Sequence, residues 1–124
     1  MSRAFFVLGA LSACVAVGLG AFGAHGLRAR LTPDLLATFE VGVRYQMYHA
    51  LALLAVACAA GRWTSGAIAA AGILFVAGTI VFSGSLYLLA LTGQKWLGAI
   101  TPLGGLAFIA GWLALAWGAW MASG

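Results

Sequence analysis

The sequence predicts an all-α integral membrane protein: a four-helix up-down bundle with a short interfacial or re-entrant helix between spans 1 and 2. Three observations carry that reading. Of 124 residues, 65% are hydrophobic and only 6% charged, whereas soluble domains carry roughly a quarter charged residues. Four stretches each approach the ~20 apolar residues needed to cross a hydrocarbon core of about 30 Å. Short polar turns separate them, and short turns make antiparallel neighbours. One transmembrane domain over residues 1–124 is therefore expected, with no soluble domain attached.

The first span is expected over about residues 4–24. Arg3 ahead of an apolar run resembles a secretory signal, but the run is long enough to span, which favours a retained signal-anchor helix. Gly9, Ala13, Ala16, Gly20 and Gly23 recur at alternating steps of four and three. That spacing lines them up on one helical stripe. Helices in lipid associate by close backbone approach, so the stripe reads as a packing face.

Arg28 and Arg30 mark a basic connector, after which Thr32-Pro33-Asp34 reads as a helix start. Thr32 suits the N-cap, Pro33 the first position, and Asp34 the positive end of the dipole. An amphipathic helix is expected over about 33–44, with Leu35, Leu36, Phe39 and Val43 on its apolar side. Glu40 and Arg44 stand four apart in the order that favours pairing. Gly42 is expected to mark a bend toward the bilayer.

The second span is expected over about 45–60 and the third over 67–91, joined by a turn at 61–66 holding Arg62 and Trp63. The third contains a polar island, Phe82-Ser83-Gly84-Ser85-Leu86-Tyr87. A loop at 92–96 leads to the fourth span, expected over 101–120. Ala107, Gly111, Ala114, Gly118 and Ala122 repeat the small-residue stripe there, and Trp117 and Trp120 suit an interfacial aromatic belt. No internal repeat points to an inverted-repeat transporter.

The net charge is +4 and the pI near 9.7, but the basic residues stand singly at helix ends. That pattern suits the anionic leaflet and the positive-inside rule better than nucleic acid. Arg28, Arg30, Arg44 and Lys95 outnumber Arg3 and Arg62, so the first group's face is expected to be cytoplasmic. Cys14 and Cys58 lie inside apolar segments and read as small buried residues rather than a disulfide.

Both histidines, both acidic residues and three of the six basic residues fall between Gly20 and Leu54. Ionisable groups at membrane depth are costly and normally pair inside the bundle. A polar cluster is therefore expected from His25, Glu40, Arg44, Tyr45, Gln46, Tyr48 and His49, with Ser83, Ser85 and Tyr87 closing it. His25 and His49 are expected at similar depth. The functional reading is a ligand or proton-handling site, since histidine titrates near neutrality. The plainer reading, which is favoured, is that these groups satisfy one another as interhelical glue. Two histidines, with Met47, leave haem or copper ligation as a minor alternative, but no metal-binding spacing supports it. No catalytic residue, metal site or cofactor is expected, because no nucleophile elbow, P-loop or dinucleotide fingerprint is present.

Four runs in order carry a resemblance: Gly20 to Leu27, Tyr45 to Leu51, Phe82 to Tyr87, and Thr101-Pro102-Leu103-Gly104-Gly105. Together they resemble the YgdD-like family, domain of unknown function 423, and they cover nearly the whole chain. The resemblance implies a small four-helix bacterial inner-membrane protein and no established activity, substrate or cofactor. The leading expectation is a non-enzymatic, multi-pass accessory, assembly or self-associating subunit. Its partners would be the lipid bilayer and a second copy or another membrane protein, with no nucleic acid. A small transporter, channel or ligand binder built on the polar cluster is the alternative.

Overall fold

The computed structural model describes residues 2–122, apart from the side chain of Ala24. Helix α1 spans Ser2–Leu27 and widens into a π turn at Leu19–Gly23. Helix α2 spans Pro33–Arg62 and α3 spans Gly66–Thr92. A 3-10 turn at Lys95–Ala99 leads into α4, Thr101–Met121. No strand occurs among the described residues. The protein is an all-α membrane bundle.

Local chemistry explains where each helix begins and stops. The Thr32 hydroxyl accepts from the Leu35 N–H at 3.3 Å, with Pro33 and Asp34 following in the first turn. That is the N-cap read from the sequence. Ser65 caps α3 in the same way, accepting from the Ala67 N–H at 3.2 Å. Gly93 ends α3 in the left-handed region at φ 72°, its N–H reaching the Leu89 carbonyl at 2.7 Å. A glycine suits this position because it has no Cβ to clash there.

The expected division of α2 is the main correction. Residues 33–44 are not a separate interfacial or re-entrant helix; they are the first part of one 30-residue helix. The two prolines of the chain are Pro33 and Pro102, so no proline ring interrupts the helical hydrogen bonds from Pro33 to Arg62. The helix runs through Gly42 without a break. That glycine makes room for Tyr87, whose ring would lie 2.7 Å from a Cβ at that position.

Successive helices pack antiparallel: α1 on α2, α2 on α3, α3 on α4. Both small-residue stripes serve these seams. A Cβ on Gly9 would lie 2.7 Å from the Ala50 carbonyl oxygen, and one on Gly104 would lie 2.5 Å from the Phe82 backbone nitrogen. Neither contact leaves space for a side chain, so the backbones approach as small residues in lipid allow. Gly111 faces Phe75, and Gly118 faces Ile68. Phe5 reaches across from α1 onto Gly72 of α3 and joins a core of Val56, Ile68, Phe75 and Phe108.

The outer faces are apolar. Phe22 is 80% exposed and Trp120 84%. Three helical runs among the described residues are long and apolar enough to cross a membrane: Ser2–Leu27, Gly66–Thr92 and Lys95–Met121. Cys14 and Cys58, expected to be buried, are both exposed on this surface. A thiol is small and apolar enough to face lipid as readily as a core.

Candidate functional site

Two polar positions on α2, Gln46 and His49, face inward on adjacent turns and meet different neighbours. Gln46 is buried where α1, α2 and α3 converge. Its Nε2 donates to the Ser12 carbonyl at 3.0 Å, and its Oε1 accepts from the Tyr87 hydroxyl at 2.6 Å. One turn earlier, the Ser83 hydroxyl donates to the Gly42 carbonyl at 2.7 Å. Phe39 packs on the Tyr87 ring with centroids 5.2 Å apart. Every amide atom of Gln46 therefore has a helix-bridging partner, as burial away from water demands.

His49 turns toward α4. Its Nδ1 lies 2.8 Å from the Tyr45 carbonyl, and its Nε2 accepts from the Trp112 indole N–H at 3.1 Å. A carbonyl can only accept and an indole N–H can only donate. The pattern assigns the neutral tautomer with its proton on Nδ1. The imidazole also stacks on Phe108, with centroids 3.5 Å apart and planes 6° from parallel. Both ring nitrogens are engaged, so ligating a metal or relaying a proton would first break one of these bonds.

An open cleft of about 570 Å³ lies beside this imidazole, between α2, α3 and α4. Tyr45, Tyr48 and His49 line it from α2, Phe82 from α3, and Gly105, Phe108, Ile109 and Trp112 from α4. Tyr45 packs on Phe82 at 4.7 Å between centroids and meets Tyr48 edge-on at 5.5 Å. The walls are therefore mostly aromatic faces. Gly105 leaves its part of the wall open, since a Cβ there would come no closer than 4.0 Å to the Phe82 ring.

The expected polar cluster is divided. Gln46, Ser83 and Tyr87 gather as predicted, around α1, α2 and α3. His49, Tyr45 and Tyr48 belong to the aromatic cleft instead. Ser85 turns the other way and hydrogen-bonds Thr101. His25, Glu40 and Arg44 are all exposed and join neither group. The two histidines do not share a depth. The end of α1 meets α2 at the contact between Gly23 and Phe39, and His49 lies ten residues further, about 15 Å along the helix. The misplacement followed from starting the second span at Tyr45, which put His49 one turn inside it. In the continuous helix it stands near the middle.

Sequence reasoning missed Trp112, Phe108, Ile109 and the Ser12 carbonyl. Phe82 and Gly105 did lie within two of the runs that carried the family resemblance. The others were hidden because an aromatic or aliphatic residue in an apolar span looks the same whether it faces lipid or a cleft. Among the described residues, no group of three or more His, Cys, Asp or Glu side chains comes together as a metal site.

Residues 19–105 match the family described as protein of unknown function, DUF423. The chain belongs to this family. It is 51% identical over 112 residues to the UPF0382 membrane protein YwdK of Bacillus subtilis, covering 90% of this chain and 91% of that one. It is 52% identical over 113 residues to the UPF0382 membrane protein SAB0533 of Staphylococcus aureus, covering 91% and 92%. A Staphylococcus haemolyticus relative, the UPF0382 membrane protein SH2409, is 51% identical over 113 residues with the same coverage. No solved structure matches the chain. The matched region contains the Gln46 contacts on α2 and α3 and the cleft wall as far as Gly105.

Proposed function

We propose that this chain is a non-enzymatic, multi-pass protein of the bacterial plasma membrane that holds a lipid-soluble guest in the cleft between α2, α3 and α4. The observation that carries this reading is the cleft of about 570 Å³, a size within the range of small-molecule sites of roughly 300–1,000 Å³. The polar groups argue for binding over chemistry. His49 has no nitrogen free to act as a base, and Gln46, Ser83 and Tyr87 are engaged with one another and the backbone.

All four helices would cross in this reading. A 30-residue helix such as α2 is about 45 Å long, some 15 Å more than a hydrocarbon core. Arg62 and Trp63 mark one interface, the guanidinium lying 5.6 Å from the indole centroid. The charged first third of α2, carrying Asp34 and Glu40, then projects beyond the core at the other. Arg44 falls near that second interface, where a long side chain reaches the headgroups. Its end of the bundle also holds exposed Arg28, Arg30 and Lys95, which favours that face as cytoplasmic.

Purification in lipid nanodiscs, followed by mass analysis of extracted small molecules, tests the reading. A species enriched by the native chain and lost from Gly105→Leu is expected. Equal extracts from the two proteins would count against a guest in the cleft. Self-association, the other expectation, loses the motive given by the small-residue stripes, which pack within the chain. It would have to use an outer apolar face, such as that of α1 with Leu11 and Val15 or that of α4 with Leu106, Leu113 and Trp117. A native mass of one chain in nanodiscs would remove it.

A further inference from the structure

We propose that the guest is a planar conjugated ring carrying hydrogen-bond-accepting oxygens and an apolar tail, the chemistry of a lipid-soluble quinone. The proposal rests on the cleft reading above and names the chemical class of its occupant. Three features of the cleft select that class. Its lining offers accessible rings, Tyr45, Tyr48 and Trp112 at 37%, 50% and 45% exposed, and aromatic groups gain from stacked and edge-on contacts beyond area alone. A saturated chain would gain nothing from such walls over leucines.

The second feature is the inventory of donors. The His49 N–H is used on the Tyr45 carbonyl and the Trp112 N–H on His49 Nε2. Tyr45 and Tyr48 both line the cleft, and each carries a phenol hydroxyl that can donate. They match a guest with accepting oxygens. No lysine or arginine lines the cleft, which disfavours a phosphate headgroup. The third feature is direction. Gly105 and Tyr45 stand toward the end of the bundle that carries Arg44, and Trp112 stands seven residues further along α4, about 10 Å deeper. Beyond it Leu113 and Trp117 are exposed, a path for an apolar tail.

The test uses the full chain in detergent, with decylubiquinone as probe and decanol as a tail-only control, read by tryptophan quenching and thermal shift. Saturable decylubiquinone binding is expected, weakened at least tenfold by Gly105→Leu and severalfold by Tyr48→Phe, with no saturation by decanol. Gly105→Leu sets its Cβ in ordinary contact with the Phe82 ring at 4.0 Å, and Tyr48→Phe removes one oxygen from a half-exposed ring, so the two variants serve as independent readouts. If decanol saturates the cleft and displaces the quinone, the ring assignment is overturned while the cleft reading stands. If neither probe saturates, or neither variant changes quinone binding, the cleft reading falls with it. A native dimer that Gly105→Leu dissociates would assign the cleft to a second copy and overturn the proposal.

Discussion

Gln46 and His49 stand three residues apart on α2, yet they build two different environments. Around Gln46, helices meet through Gly42 and the Ser12 carbonyl, and the contacts close on themselves. Around His49 the neighbours are mostly rings, with an open cleft beside them. Both polar side chains are fully hydrogen-bonded, so polarity alone does not mark the candidate site. What separates them is how the space beside them is filled: the Tyr87 ring fits against Gly42 and closes the Gln46 contacts, whereas Gly105 leaves the wall near His49 open.

The sharpest way to break this comparison is to put volume where the structure has none. Gly104→Ala sets a Cβ against the Phe82 backbone, which cannot swing aside. A loss of about 3 kcal/mol is expected from such overpacking, measured by reversible unfolding in mild detergent. A near-native stability would mean that the α3–α4 seam is looser than described.

Gln46→Leu comes next. It removes the partner of the half-buried Tyr87 hydroxyl and the link to Ser12, a loss of about 1–2 kcal/mol. Because the Gln46 contacts and the cleft are separate, quinone affinity should stay within twofold of native. A large drop in affinity would show that the two regions act as one.

Trp112→Phe removes the donor to His49 Nε2 and should cost about 1 kcal/mol. In the native chain, nitrogen NMR should find His49 as the neutral Nδ1–H form, and in the variant that preference should relax. A native spectrum with the proton on Nε2 would refute the assigned hydrogen bond. The smallest effect belongs to His25→Ala, an exposed position whose replacement should change stability by less than about 0.5 kcal/mol. A larger effect, or a loss of quinone binding, would restore the paired-histidine site that the structure separates.

Much of the fold was legible from residue order because each signal was local. Thr32-Pro33-Asp34 acts through its own backbone, and the stripes from Gly9 and Ala107 follow helical spacing. The candidate site was legible only in part. Gln46, Ser83 and Tyr87 were grouped correctly because a polar side chain in lipid must find a partner. His25, Glu40 and Arg44 were grouped with them by proximity along the chain, which a rigid helix of 30 residues overrules.

The sequence by itself determined that this chain is helical, apolar on its outside and divided by short turns, because those properties follow from composition and nearest-neighbour chemistry. Tertiary structure decided that α2 runs unbroken, that Gln46 and His49 face different helices, and that Trp112 meets an imidazole 63 positions earlier. Such meetings depend on how the helices rotate against one another. That rotation is set by packing across the seams and leaves no mark at any single position.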